Sequence, residues 1–463
     1  MLLLAPHLVR AGDCDDRRGG RVYVTYEPTI SDERARRAFA RAPTPAPLQL
    51  RAPAGDPPSD AELLAAEASL QSGQLRAALE RYEHALQRAE ASGASLPVSA
   101  RFNLHVLASG YGHHDTAQLA AAFAPASRAT REELAAFWEL RILIDDDDDR
   151  LHHARVYLDR ARSPRDREEH EAQALAELTA AQLLWTRSCP PSARVDGLCL
   201  SRRATQWRTN CDTIEEVLEV VSRDPEDSRL SIAHRGRALA LARRAARRYG
   251  DSDVLRRVHA GARFLAAEAE LEAYYAIEAP RGRSFTVDHY KRDSGVPQWE
   301  REYQQQCRDR RQALRRYQEF SERATPARLA ILRQYDELLA FEDPQAVLAV
   351  HARAAQLLLR YRTQLVLMTP QATPDDIHSY THCADSLPHA YMERARRQLA
   401  RCLELATEHH YFDPWARLCE SMLSAQAPDL YPPLRESFAD RRPAPAKSIG
   451  VVTELAVTTR EIR

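Results

Sequence analysis

Lysine is nearly missing from this chain. Only Lys291 and Lys447 occur in 463 residues, so arginine supplies all but two of the 65 basic side chains. A GC-rich coding sequence accounts for that bias. A functional account would be recognition of phosphate or carboxylate by planar guanidinium forks. Surplus charge is missing too: the formal net charge of −1 argues against a general polyanion binder, because counterion release needs an excess of cations. Glycine numbers only 15 and aromatics make up 7%, which with abundant Ala, Leu, Arg and Glu favours helix over sheet. No stretch reaches the roughly 18 uncharged apolar residues of a membrane span. The most apolar segment, 347–368, carries Arg353, Arg360 and Arg362.

Catalytic patterns are equally sparse. The chain has no Gly-rich phosphate loop, no G-x-S-x-G elbow and no C-x2-C pair. His170-Glu171 opens like a zinc-protease helix, but Ala174 stands where the second histidine belongs. The pairs His113-His114, His152-His153 and His409-His410 are adjacent, and neighbouring side chains on a helix point about 100° apart. The run Asp145–Asp149 lacks the alternating ligand spacing of a calcium loop and is expected to be a solvated turn. No catalytic, cofactor or metal residue is assigned, and the chain is expected not to be an enzyme.

What is present is a packing code. Residues 60–90 read DAELLAAEASLQSGQLRAALERYEHALQRAE. Ala66 lies on a first helix, Gly73 and Leu75 mark a turn, and Ala78, Tyr82 and Ala85 line one face of a second. Alanines let two helices approach closely and the aromatic fills the space they leave. Ala416 and Pro428 repeat the offset between a packing alanine and a closing proline. These spacings resemble tetratricopeptide repeats. The resemblance implies an all-α architecture: an antiparallel helix-hairpin solenoid, with an irregular N-terminal segment and an extended C-terminal tail. Such hairpins cannot bury their apolar faces alone and therefore stack.

Five regions are expected along the chain. Residues 1–58 are irregular, with a β-prone patch at 22–26, a short helix near 31–40 and a Pro/Ala-rich linker. Residues 59–188 hold tetratricopeptide-like repeats. Residues 189–295 hold longer helices interrupted by loops, with helices expected at 214–222, 227–249 and 251–277. Residues 296–442 hold further helical repeats, with a break at Thr325-Pro326 and starts at Asp343-Pro344 and Asp413-Pro414. The stripe Val347, Val350, Ala354, Leu357, Tyr361, Leu365 and Met368 recurs at steps of three and four and reads as core. Residues 443–463 form a proline-rich linker and a tail rich in β-branched residues, expected to be an extended strand or arm. The tail could pair with the 22–26 patch or add to a partner's sheet edge. The arginines of 235–248 read as a solvated helix face.

Eight cysteines form an even set. Cys189 and Cys199 flank the loop CPPSARVDGLC and are candidates for a disulfide; the alternative is free, partly buried thiols. The N-terminal MLLLAPHLVRAGDC has a short apolar patch without a basic start, so a signal peptide is expected to be absent or truncated.

A second similarity rests on LWTRSC (184–189), DGLC (196–199) and YFDPWARLCE (411–420). These segments resemble large helical proteins of the cell envelope in gliding bacteria with GC-rich genomes. That likeness implies a periplasmic or outer-membrane-associated scaffold in a multiprotein, motility-linked assembly, with other proteins as partners. The balanced charge and the missing motifs lead to the expectation of no nucleic acid partner and no cofactor. The alternative expectations are a cytoplasmic location, and a regulatory helical module that binds a peptide or phosphate-containing ligand through arginines.

Overall fold

The computed structural model describes residues 30–40, 48–50, 61–92, 96–113, 131–139, 146–161, 163–209, 211–282, 295–369, 387–409, 411, 413–431, 448–453 and 456–461. The 22–26 patch, the leader-like N-terminus, a helix expected at 114–124, Asp145 and most of both proline-rich linkers lie outside the described residues. Within them the protein is mostly helical.

Helix α1 (Asp32–Ala40) and the short strand β1 (Leu48–Leu50) precede a hairpin of α2 (Ala61–Gln71) and α3 (Leu75–Ser92). Helices α4 (Val98–Tyr111), α5 (Arg131–Glu139) and α6 (Asp147–Arg160) follow. Asp146 to Asp149 are exposed, yet the last three of them are helical. Asp146 caps α6, accepting from the Asp148 and Asp149 amides, and Asp147 to Asp149 fill the first turn, where the helix dipole favours carboxylates. Helix α7 (Arg167–Arg187) then leads to the cysteine loop.

Here the all-α expectation needs correction. Strands β2 (Arg194–Val195), β3 (Leu198–Arg208) and β4 (Thr213–Val220) form a small antiparallel sheet in the order β2-β3-β4. The helix expected at 214–222 is strand β4. Its apolar residues suit either period, and pairing with β3, Leu200 opposite Val220 and Trp207 opposite Ile214, decides the outcome. Ile214 and Val217 of β4 are buried.

Beyond the sheet run α8 (Pro225–Tyr249), α9 (Asp253–Tyr275), α10 (Pro297–Leu338), α11 (Pro344–Met368), α12 (Leu387–Glu408) and α13 (Pro414–Gln426). The break expected at Pro326 does not occur, because α10 runs straight through it. An internal proline costs about 3 kcal/mol. Ala324, Arg328, Ile331, Leu332 and Tyr335 are buried around it, and each large apolar side chain contributes about 1.5–3 kcal/mol, so burial outweighs the lost bond. Two strands close the described chain. β5 (Ser448–Thr453) pairs antiparallel with β6 (Ala456–Glu461) and parallel with β1, Leu48 opposite Ile449.

The chain divides into two compact units, each assembled from three segments. The first comprises 1–42, 187–225 and 259–433. Its centre is α11, on which α1, α10, α12, α13 and β4 all pack. The stripe from Val347 to Met368 is buried, but so are the intervening His351, Arg353, Gln356 and Gln364. This helix is enclosed on every side. The second unit comprises 43–186, 226–258 and 434–463. Its core joins α2, α3, α4, α5, α6 and α7 through residues such as Leu79, Leu107, Phe137 and Leu184. In it α2 packs on α3, α3 on α4, α4 on α5 and α5 on α6. Helix α8 docks on α7 by the Ser231 hydroxyl donating to the Ala181 carbonyl at 2.7 Å, and by His234 and Arg237 bonding Glu177.

Candidate functional site

The repeat-packing residues of the first hairpin come together. Ala66, Ala78, Tyr82 and Ala85 are all fully buried in one core, and Gly73 turns the chain at φ +73°. The Tyr82 hydroxyl donates to Glu67 Oε1 at 2.6 Å and accepts from Asn103 Nδ2 at 3.2 Å, tying α2, α3 and α4 at one point. Burial pushes the Glu67 carboxyl up, against the lowering effect of the Tyr82 hydroxyl; burial and Glu67 together hold Tyr82 far above the usual phenol range. The second pair does not join in this way. Ala416 is buried in α13, whereas Pro428 is exposed in the turn beyond it.

Cys189 and Cys199 are bonded, with Cα atoms 5.5 Å apart. A second disulfide joins Cys402 on α12 to Cys419 on α13. Cys211 and Cys307 are also disulfide-bonded. Among the described residues no cysteine is free.

The most elaborate polar cluster surrounds that first disulfide. Asp196 and Gly197, at φ 52° and 83°, make the two-residue turn between β2 and β3, as a type I′ hairpin requires. Arg353 of α11, only 1% exposed, donates from Nη1 to the Asp196 carbonyl and to Gln356 Oε1, both at 2.6 Å. Its Nε and Nη2 grip Glu268 of α9 at 2.7 and 2.6 Å, and its guanidinium lies 4.7 Å from the Trp415 ring centre. One turn further along α9, Glu272 accepts the Cys199 amide at 2.8 Å and is bonded by Arg223 at 2.7 and 2.5 Å. Burial works against the charge on Arg353, but the facing carboxylate prevails and holds the guanidinium charged; burial raises the Glu268 carboxyl against the pull of Arg353. We read the pair as ionised, since both Glu268 oxygens accept from a guanidinium that keeps its proton. The cluster is closed on itself and grips backbone. Its chemistry is positioning. The sequence signal for it, Asp-Gly between Val195 and Leu198, lay in plain view.

Other candidate groups sit apart. His152 is exposed and His153 buried, stacked 3.7 Å from Phe137 with Nε2 near the Phe137 carbonyl. His113 pairs with Glu83 at 2.8 Å, and His170 bonds the Asp166 carbonyl. His114 and His410 lie outside the described residues. Among the described residues no group of three His, Cys, Asp or Glu side chains could hold a metal, and no helix is long and apolar enough to cross a membrane. Of the Arg-rich run on α8, Arg243, Arg244 and Arg247 are exposed, and Arg248 lines an open hollow with Arg131 and Arg165. A second hollow, lined by Ala400, Leu403, Glu404, Thr407 and Tyr431, lies along α12. No protein-family model matches this chain, and no curated protein matches it.

Proposed function

We propose that this protein is a non-enzymatic scaffold. Its tetratricopeptide-like hairpins stack as a solenoid and hold a protein partner in a cell-envelope assembly, motility-linked systems included. The observation that carries this reading is the α2–α3 hairpin, with Ala66, Ala78, Tyr82 and Ala85 sealed in its interface. The order of packing from α2 to α6, each described helix on the next described one, is what a stacked array produces. Two disulfides in one unit favour an oxidising compartment, the periplasm or the outer membrane's inner face.

Fractionation of the native host tests compartment and assembly together. The chain is expected in the envelope fraction, in a cross-linked complex well above its own 52.4 kDa. Recovery as a soluble cytoplasmic monomer would overturn the proposal.

A further inference from the structure

Three arginines line one hollow of the second unit. Arg131 comes from α5, Arg165 from the turn before α7, and Arg248 from the last turn of α8, with Ser163 and Pro164 between them. The hollow is open to solvent and has a volume of about 580 Å³. Separate elements supply the three arginines, so the fold, not one Arg-rich helix face, brings them together.

Four neighbouring acids are already committed. Glu169 accepts from Arg131 and from the Arg165 amide at 2.8 Å. Burial works to raise its carboxyl, but Arg131, the Arg165 amide and the Arg165 charge hold it below the usual carboxylate range. Asp166 accepts the Glu169 amide at 2.9 Å, Glu171 takes Arg167 and Ser252, and the Asp251 carboxylate takes Arg256. Among the described residues neither Arg165 nor Arg248 makes an ion pair, and both are exposed. Tyr249 touches both residues. The Arg165 carbonyl accepts from the Tyr249 hydroxyl at 2.8 Å, and the Arg248 guanidinium lies 5.1 Å from the Tyr249 ring centre. Two exposed arginines therefore line a hollow beside Glu169, whose carboxylate is bonded by the third, Arg131.

We propose that this hollow binds a phosphoryl group, gripped by Arg165 and Arg248 with Arg131 behind them. A tetrahedral dianion offers oxygens to more than one fork at once, where a single carboxylate offers two in one plane. Asp166 takes the Glu169 amide in the first turn of α7, and the arginines are the cationic donors at the hollow. The proposal goes beyond the scaffold reading and does not depend on it. The phosphoryl group has two sources, a soluble phosphate or a phospholipid headgroup.

The test uses the full chain and two probes at matched ionic strength. One is inorganic pyrophosphate, followed by titration calorimetry. The other is vesicles of phosphatidylcholine with and without phosphatidic acid, followed by sedimentation. The double variant Arg165→Ala/Arg248→Ala should bind about tenfold more weakly or worse, as expected for losing charge-assisted hydrogen bonds. Its unliganded melting curve should match the parent, because both side chains are exposed. Arg131 stays intact, since removing it would strand Glu169. Heat from pyrophosphate that the variant loses assigns a soluble ligand. Variant-sensitive sedimentation with phosphatidic acid alone assigns a headgroup. Equal binding by parent and variant, or no response to either probe, overturns the site. A second variant, Arg165→Lys/Arg248→Lys, keeps charge and removes the forks; it should lose part of the affinity, and full retention would also overturn the proposal.

Discussion

A methyl group at Gly197 would press on Arg353. Its Cβ would stand 3.0 Å from Arg353 Nη2, at a residue whose φ is +83°. Gly250 shares that φ but faces open space. Gly250→Ala should therefore cost only the backbone strain, about 1 kcal/mol. Gly197→Ala adds a clash with a guanidinium held by four bonds, and should cost roughly 2–4 kcal/mol. Chemical denaturation of the two variants side by side reads the difference; equal costs would show that Arg353 yields freely. His351 supplies a pH dependence. Burial drives its pKa down to about 4, against the Gln398 side chain bonded to Nδ1 at 2.8 Å and with Asp32 and Arg401 nearby. The folded state binds its proton less readily than the unfolded chain. The stability it confers is therefore complete above about pH 6.5 and is lost as pH falls toward 4, on the order of 3 kcal/mol at most. Melting temperature against pH should be flatter over that interval in His351→Leu. Little of this was legible in the sequence. His351, Arg353, Gln356 and Gln364 interrupt an apolar stripe that reads as one helix face, and only the enclosed position of α11 shows that they are buried as well.

At the scale of elements, the Cys189–Cys199 bond closes a loop of sequence separation 10, and loop-closure entropy gives such a staple about 2–3 kcal/mol. The turn inside the loop is already fixed by Arg353 and Glu272, so the measured loss in Cys189→Ser/Cys199→Ser should fall at the low end of that range. Denaturant titration of the variant against the parent would check it, and a loss well above 3 kcal/mol would mean that the hydrogen bonds depend on the staple. Helix starts were legible where the cap chemistry is local. Asp343 and Asp413 each precede a proline and cap α11 and α13 through their side chains. Strand β4 was not, because TIEEVLEV places apolar residues at steps that suit a helix as well as a strand, and its partner lies across a turn the sequence does not announce. The continuation through Pro326 was hidden for the same reason: distant burial overrides a local breaker.

For the whole molecule, the boundary at 188 drawn from sequence leaves out something the second unit uses. Helix α8 supplies Ser231, His234 and Arg237 to α7, and Leu230 packs against its core. A fragment of residues 59–188 should melt at a lower temperature than one of residues 59–258, measured by circular dichroism with gel filtration to detect association. Equal melting would show that α8 adds nothing to its neighbours. Composition announced the helical character of the chain, but not which stretches belong together, since the segments that meet are far apart in sequence.

That interleaving governs synthesis. The parallel partner of β1, strand β5, is added to the nascent chain about 400 residues later, and closing so long a loop carries an entropic cost that grows with its length. A ribosome that has made the first hairpin must make most of the protein before that hairpin's own unit can be finished. Folding of this unit therefore waits on the late strand and cannot be completed one segment at a time.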